Sequence, residues 1–203
     1  MKWLKSRPGP AVAEPLRVTK LVETFDGPKE FDNKGWLPYK SHTGGFNGKG
    51  QYTVNSMIHY QGWSRVAGSG SFEALFAVKN IHYNYPGKAV SEGMTMGFRD
   101  SFNKGVNPTM TVSLKENRIS SAIGSVPLSK KPESAKIKFI WNEKMLQWKV
   151  YYGLDGEEPV HEFEKSREGF YYKRPTTESL AAAFLMSNGR VDIDHFEIRP
   201  IEP

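Results

Sequence analysis

The sequence predicts an all-β fold, a sandwich or barrel of antiparallel strands, on three observations. In Lys136–Trp141 the apolar Ile137, Phe139 and Trp141 alternate with lysines, and Leu146, Trp148, Val150 and Tyr152 alternate with Gln147, Lys149 and Tyr151. A period of two marks half-buried strands. Asn142–Met145 between the runs is short and polar enough for a hairpin loop, and Leu154-Asp155-Gly156 supplies a second turn, so the region reads as a β-meander. The same pattern recurs along the chain in short segments punctuated by turn residues, with no alternation of strand and helix that would indicate a parallel sheet.

The elements follow in order. Pro8, Gly9, Pro10 and Pro15 make residues 1–15 an extended or disordered lead, and one domain is expected over 16–203. Leu16, Val18, Lys20 and Val22 give a first strand to about Phe25, closed by Asp26-Gly27-Pro28. Leu37–Gly50 is glycine-rich with no clear period and reads as a loop. Gln51–Tyr60 alternates again as one strand, with Thr53, Asn55, Met57, His59 and Gln61 on its mixed face. Phe72–Val78 and Met94–Phe98 come next, the latter with Arg99 on its second face. Thr109–Leu114, Arg118–Ala122, the meander and Val160–Phe163 complete the middle of the chain. Thr177–Met186 contains three consecutive alanines, yet Ser187-Asn188-Gly189 followed by Arg190–Ile198 favours a strand and hairpin. In the last segment the apolar parity passes from Val191 and Ile193 to Phe196 and Ile198, which predicts a β-bulge at Asp194-His195.

Composition narrows the function. Of 203 residues 38% are hydrophobic and 25% charged, ordinary for a globular protein, while 13% are aromatic, which suits sheets. There is no cysteine, so disulfides and thiolate metal sites are excluded. The net charge of +6 is concentrated at the start: residues 1–20 hold five basic residues against Glu14, leaving only +2 for the remainder. With no basic block, nucleic acid is not an expected partner, and with no apolar run of ~18 residues neither is membrane insertion. The first 13 residues lack the apolar core of a signal peptide; an extracellular or periplasmic setting is expected, and a cytoplasmic one is equally compatible. The oligomeric state is left open.

Three segments carry a family resemblance: Lys136–Trp141, Gln147–Gly156 and Ala183–Ile198. Their order resembles the concanavalin A-like lectin and glucanase superfamily, including laminin G-like jelly rolls. The likeness covers Leu16–Arg199 as a pattern and brings no diagnostic catalytic motif. It implies a two-sheet antiparallel β-sandwich, a jelly roll, whose concave face commonly holds carbohydrate. In many such domains a terminal-strand Asp helps to hold a structural Ca²⁺, which here implies Asp194 with Glu23 or Asp26; oxygen ligands suit that ion. No other cofactor is required, and the five histidines show no zinc spacing.

The residues themselves offer three functions. Sugar binding needs aromatic faces bordered by hydrogen-bonding groups, and Trp36, Tyr39, Trp63, Tyr83, Tyr85, Tyr171 and Tyr172 lie outside the regular apolar stripes. The candidate ligand set is Asn55, His59, Gln61, Trp63, Arg65, Tyr83, Tyr85 and Arg99, binding a polysaccharide without turnover. A polysaccharide lyase acting on a uronate-containing glycan is the alternative, with His59 or Tyr83 as base and Arg65 or Arg99 stabilising the enolate-like charge. A structural interaction module of laminin G type is the third. A glycoside hydrolase finds no paired carboxyls: Glu73 is alone on its strand, and Glu157, Glu158, Glu162 and Glu164 read as a solvated hairpin.

Overall fold

Alternating apolar residues make two antiparallel sheets whose inner rows face each other. The computed structural model describes residues 18–25, 27, 36–38, 44–47, 49, 51–55, 57–60, 70–84, 93–100, 108–163 and 180–201. Its strands are β1 (Leu21–Glu23), β2 (Trp36–Pro38), β3 (Gly45–Phe46), β4 (Tyr52–Val54), β5 (Met57–Tyr60), β6 (Phe72–Tyr83), β7 (Gly93–Asp100) and β8 (Pro108–Lys115). They continue with β9 (Arg118–Ser121), β10 (Ser125–Pro127), β11 (Ala135–Asn142), β12 (Gln147–Leu154), β13 (His161–Glu162), β14 (Leu180–Ser187) and β15 (Gly189–Pro200). No helix occurs among the described residues.

Sheet A runs β13-β12-β11-β6-β15-β4-β3, with β1 also paired to β15, and sheet B runs β10-β9-β8-β7-β14-β5-β2. The core between them is aromatic. From sheet A, Phe76 meets Phe98 and Phe184 of sheet B at centroid distances of 5.5 and 5.2 Å. Trp148 stacks on Phe98 at 5.8 Å and stands against Trp141 at 5.1 Å. All of these side chains are fully buried. Each such ring pair contributes about 0.5–1.5 kcal/mol beyond its area burial.

The meander appears as expected, with Ile137 opposite Tyr152 and Phe139 opposite Val150. Leu146 is the exception: it sits in the turn at φ 51°, exposed, because the chain must reverse there. Thr177–Met186 is strand over its described part, and the bulge between Ile193 and His195 is present in the β15–β6 register.

Three expectations change. Gln51–Tyr60 is two strands in opposite sheets, β4 paired with β15 and β5 with β14. Val54 and Ile58 both reach the core, an even number of residues apart, so strict alternation survives the change of sheet and conceals it. Ser187-Asn188-Gly189 likewise turns the chain from sheet B into sheet A, with Asn188 at φ 54°, so β14 and β15 do not form a hairpin. Strand β6 passes Val78 and ends at Tyr83. Asn80 at φ 53° resets its parity, so that Ile81 and Tyr83 take the core side after Phe72, Ala74, Phe76 and Val78.

Candidate functional site

The same irregularity in β6 builds a polar cleft on the outer side of sheet A. On β4, Thr53 lies between the core residues Tyr52 and Val54, and on β15, Asp192 lies between Val191 and Ile193, so both side chains face outward. Thr53 and Asp192 are register partners, and Asp192 is in turn opposite Lys79. The Thr53 hydroxyl donates to Asp192 Oδ1 at 2.5 Å, and Asn80 Nδ2 donates to Asp192 Oδ2 at 2.8 Å. Both carboxylate oxygens are thereby oriented, and each keeps lone-pair capacity for a further donor.

Around this floor the cleft encloses about 810 Å³, lined by Asn47, Lys49, Thr53, Asn80, Ile81, His82, Lys131, Glu133, Arg190 and Asp192. That is within the roughly 300–1,000 Å³ usual for ligand sites. One wall is the segment after β3, where Asn47 Nδ2 donates to Gln51 Oε1 at 3.0 Å and Asn47 Oδ1 accepts from Lys49 N at 2.8 Å. The opposite wall precedes β11. It is pinned where Ile81 N donates to the Glu133 carbonyl at 3.1 Å and Glu133 N to Asp155 Oδ1 at 2.8 Å. Lys130 closes on Asp155 at 2.7 Å, and this hydrogen bond leads the causes that hold the Asp155 carboxyl below its ordinary range.

Among the described residues, none of the site candidates named from the sequence lines this cleft. Tyr83 is buried and 3% exposed, its hydroxyl 3.4 Å from the Leu114 carbonyl; burial first, then the Glu116 charge, pushes its ionisation well above the ordinary phenol range. That corrects its assignment as an exposed base or stacking ring: the Asn80 reset turns it inward. It serves the cleft from below, as the ring under Lys131 Nζ at 5.0 Å. Trp36, packed on Phe25 and Phe196 at 5.3 Å each, is also core rather than platform. Asn55 is exposed after β4, and because β4 and β5 part there, it shares no strand with His59.

His59 and Arg99 fall in sheet B. A row across that sheet runs Thr111, Gly97, Ala183, His59, Leu37, and Arg99 is in register with Ala181 two residues along. These rows alternate with the core row of Val112, Met96, Phe184 and Ile58. Arg99 is partly buried, and desolvation lowers its pKa. Gln61, Trp63, Arg65, Tyr85, Tyr39, Tyr171 and Tyr172 lie outside the described residues, as does Asp26.

Of the carboxylates considered for calcium, Glu23 is buried opposite Phe196 and its Oε1 accepts from Phe25 N at 3.0 Å, while Asp194 pairs with Lys79 at 2.7 Å. These two are engaged on different partners, and no group of three His, Asp or Glu side chains suited to a metal occurs among the described residues. Glu157, Glu158 and Glu162 are exposed beside β12 and β13, as a solvated hairpin requires, and Glu73 pairs with Arg199.

No family model matches the chain, and no curated protein sequence matches it. Solved structures do. The seed lectin of Lotus tetragonolobus superposes with a TM-score of 0.60 at 12% identity, covering 91% of this chain and all of the lectin. Winged bean acidic lectin, solved with methyl-α-D-galactose, gives 0.59 at 11% identity over 89% of this chain and 97% of its own. The exoplasmic domain of VIP36, in a form bound to Ca²⁺ and mannose, gives 0.51 at 8% identity over 83% and 82% of the two chains. The chain has the concanavalin A-like jelly-roll fold of the legume lectins. At these identities the likeness establishes architecture, and function has to be argued from the site.

Proposed function

We propose that this domain binds a glycan, without turning it over, in the cleft on the outer side of sheet A. The observation that carries the reading is the Asp192 carboxylate, fixed by Thr53 and Asn80 with acceptor capacity to spare, inside a cleft walled by amide and basic donors. Vicinal sugar hydroxyls need such an array of oriented acceptors and donors. The lectin neighbours add that this architecture holds sugars in other proteins. Among the described residues the lining includes no Phe, Tyr or Trp for a sugar face to stack on, so affinity per sugar is modest. At about −0.3 kcal/mol per non-hydrogen atom, a hexose of about a dozen such atoms binds with a Kd near the millimolar range.

The test is a glycan array followed by calorimetry on the best ligands, with ultraviolet absorbance followed for an unsaturated uronate product. Binding without product, weakened by Asp192→Ala, supports the proposal; binding indifferent to Asp192→Ala refutes the site. A β-eliminating lyase is the second reading, favoured by the partly buried Arg99 in the sheet that also carries His59. It predicts an absorbance rise that Arg99→Ala abolishes. Absence of binding to any glycan favours the structural interaction module.

A further inference from the structure

We infer that the ligand of this cleft is an anionic glycan, with a uronate carboxylate received by Arg190 and Lys131; the inference rests on the glycan-binding reading above. Three lines of observation converge on it. The cleft carries Lys49, Lys131 and Arg190 against Glu133 and Asp192, an excess of one positive charge with histidine neutral. Asp192 is held by the neutral donors Thr53 and Asn80 rather than by a cation, so none of the three basic groups is consumed by it. Among the described residues no ion pair holds any of the three, nor the outward Lys138 and Lys149, whereas the outward Lys79, Lys136 and Arg199 of the same sheet each have a carboxylate partner.

Arg190 and Lys131 line the same cleft. Arg190 is exposed at the start of β15, opposite His82 of β6, on the outward parity it shares with Asp192. Its guanidinium offers the forked donor pair that matches a carboxylate. Lys131 is the complementary point charge. Its ammonium lies over the buried Tyr83 ring, so less side-chain freedom remains to be lost on binding than for a solvated lysine. A uronic acid sugar presents one carboxylate beside ring hydroxyls. The charge goes to Arg190 and Lys131, and the hydroxyls go to Asp192, Asn80 and Thr53. Glu133 and Asp192 act against more densely charged ligands by like-charge repulsion.

The experiment is calorimetric titration of the full chain with oligogalacturonates and alginate oligosaccharides, each beside its carboxyl-reduced counterpart, at low and high salt. The expected result is binding about tenfold tighter for the acid than for the reduced sugar, a ratio that shrinks as salt screens the charges. Arg190→Ala, a change at an exposed side chain, brings the ratio close to one with an unchanged melting temperature, and Lys131→Ala does so in part. An equal affinity for acid and reduced sugar, or a ratio that persists in both variants, overturns the inference. Binding of neutral glycans alone overturns it while leaving the glycan-binding reading intact; failure of every glycan removes both.

Discussion

Asn80 does two separable things, and two substitutions separate them. Its backbone holds φ 53° inside a strand, and its side chain donates to Asp192. Forcing an ordinary L-residue into the left-handed region costs roughly 1–2 kcal/mol, less for Asn. The hydrogen bond reaches a charged acceptor but is exposed, so it is worth about 0.5–1 kcal/mol. Asn80→Ala loses the bond and incurs the backbone cost, about 1.5–3 kcal/mol in all. Asn80→Gly loses the bond but takes the left-handed conformation freely, at about 1–2 kcal/mol once the entropy of a strand glycine is included. Urea denaturation reads the difference: with a slope of about 2–3 kcal/mol/M, Asn80→Gly should unfold about 0.2–0.5 M later than Asn80→Ala. Glycan affinity should fall by a similar factor in both, since both release Asp192 alike. A glycine variant less stable than the alanine variant would refute the argument that Asn80 is chosen for its backbone. An affinity lost in only one of them would refute the role given to the Asp192 tether.

Trp148→Ala should destabilise by about 3–5 kcal/mol, because its ring touches Phe72, Phe98, Phe139 and Trp141 across both sheets; a loss below about 1.5 kcal/mol by chemical denaturation contradicts that packing. Gly189→Ala should cost about 1–3 kcal/mol, since a Cβ there overlaps the His82 carbonyl oxygen and the Met186 methyl group, and only the latter can yield. Glycan affinity should drop with it, as His82 and Arg190 flank the displaced strand start. Asp155 has its folded pKa lowered, with the Lys130 hydrogen bond the largest cause. Its contribution is therefore present above the ordinary carboxylate pKa of about 3.9 and is lost as pH falls below it. Asp155→Asn should flatten the acid limb of melting temperature against pH between about pH 5 and pH 2; parallel curves for the two proteins exclude the linkage.

The strands were readable because burial on one face imposes period two, and the period survives irregularities that move whole segments. Ile137, Phe139 and Trp141 could be assigned to a core face without knowing what lay opposite them. The phase change after Ile193 disclosed its bulge because the apolar residues on both sides were strong. Sheet membership was hidden for the same physical reason. Val54 and Ile58 keep one parity whether the chain runs straight or crosses the core, and Ser187-Asn188-Gly189 reads as a turn wherever the next strand goes. The short β2, β3 and β10 contribute two or three residues each, too few for any period to declare itself.

The cleft had no comparable signal, and the reason lies in how it is assembled. Its central contact joins Thr53 to Asp192, 139 residues apart, and Asn80 to Asp192, 112 apart. Thr53 and Asp192 read as the solvated half of an alternating strand, which locally they are, and Asn80 falls past the end at Val78 that the alternation gives its strand. What singles them out is the pairing of β4, β15 and β6 in one sheet, together with a left-handed Asn80. The pairs Lys79-Asn80 and Asp194-His195 are the sequence trace of that event, since the apolar parity of β6 and β15 resets at each. A reset in one strand could be an accident of composition. Two resets in strands that prove to be neighbours mean that the sheet there gives up regular pairing, and the cleft residues Asn80 and Asp192 lie at and beside those irregularities.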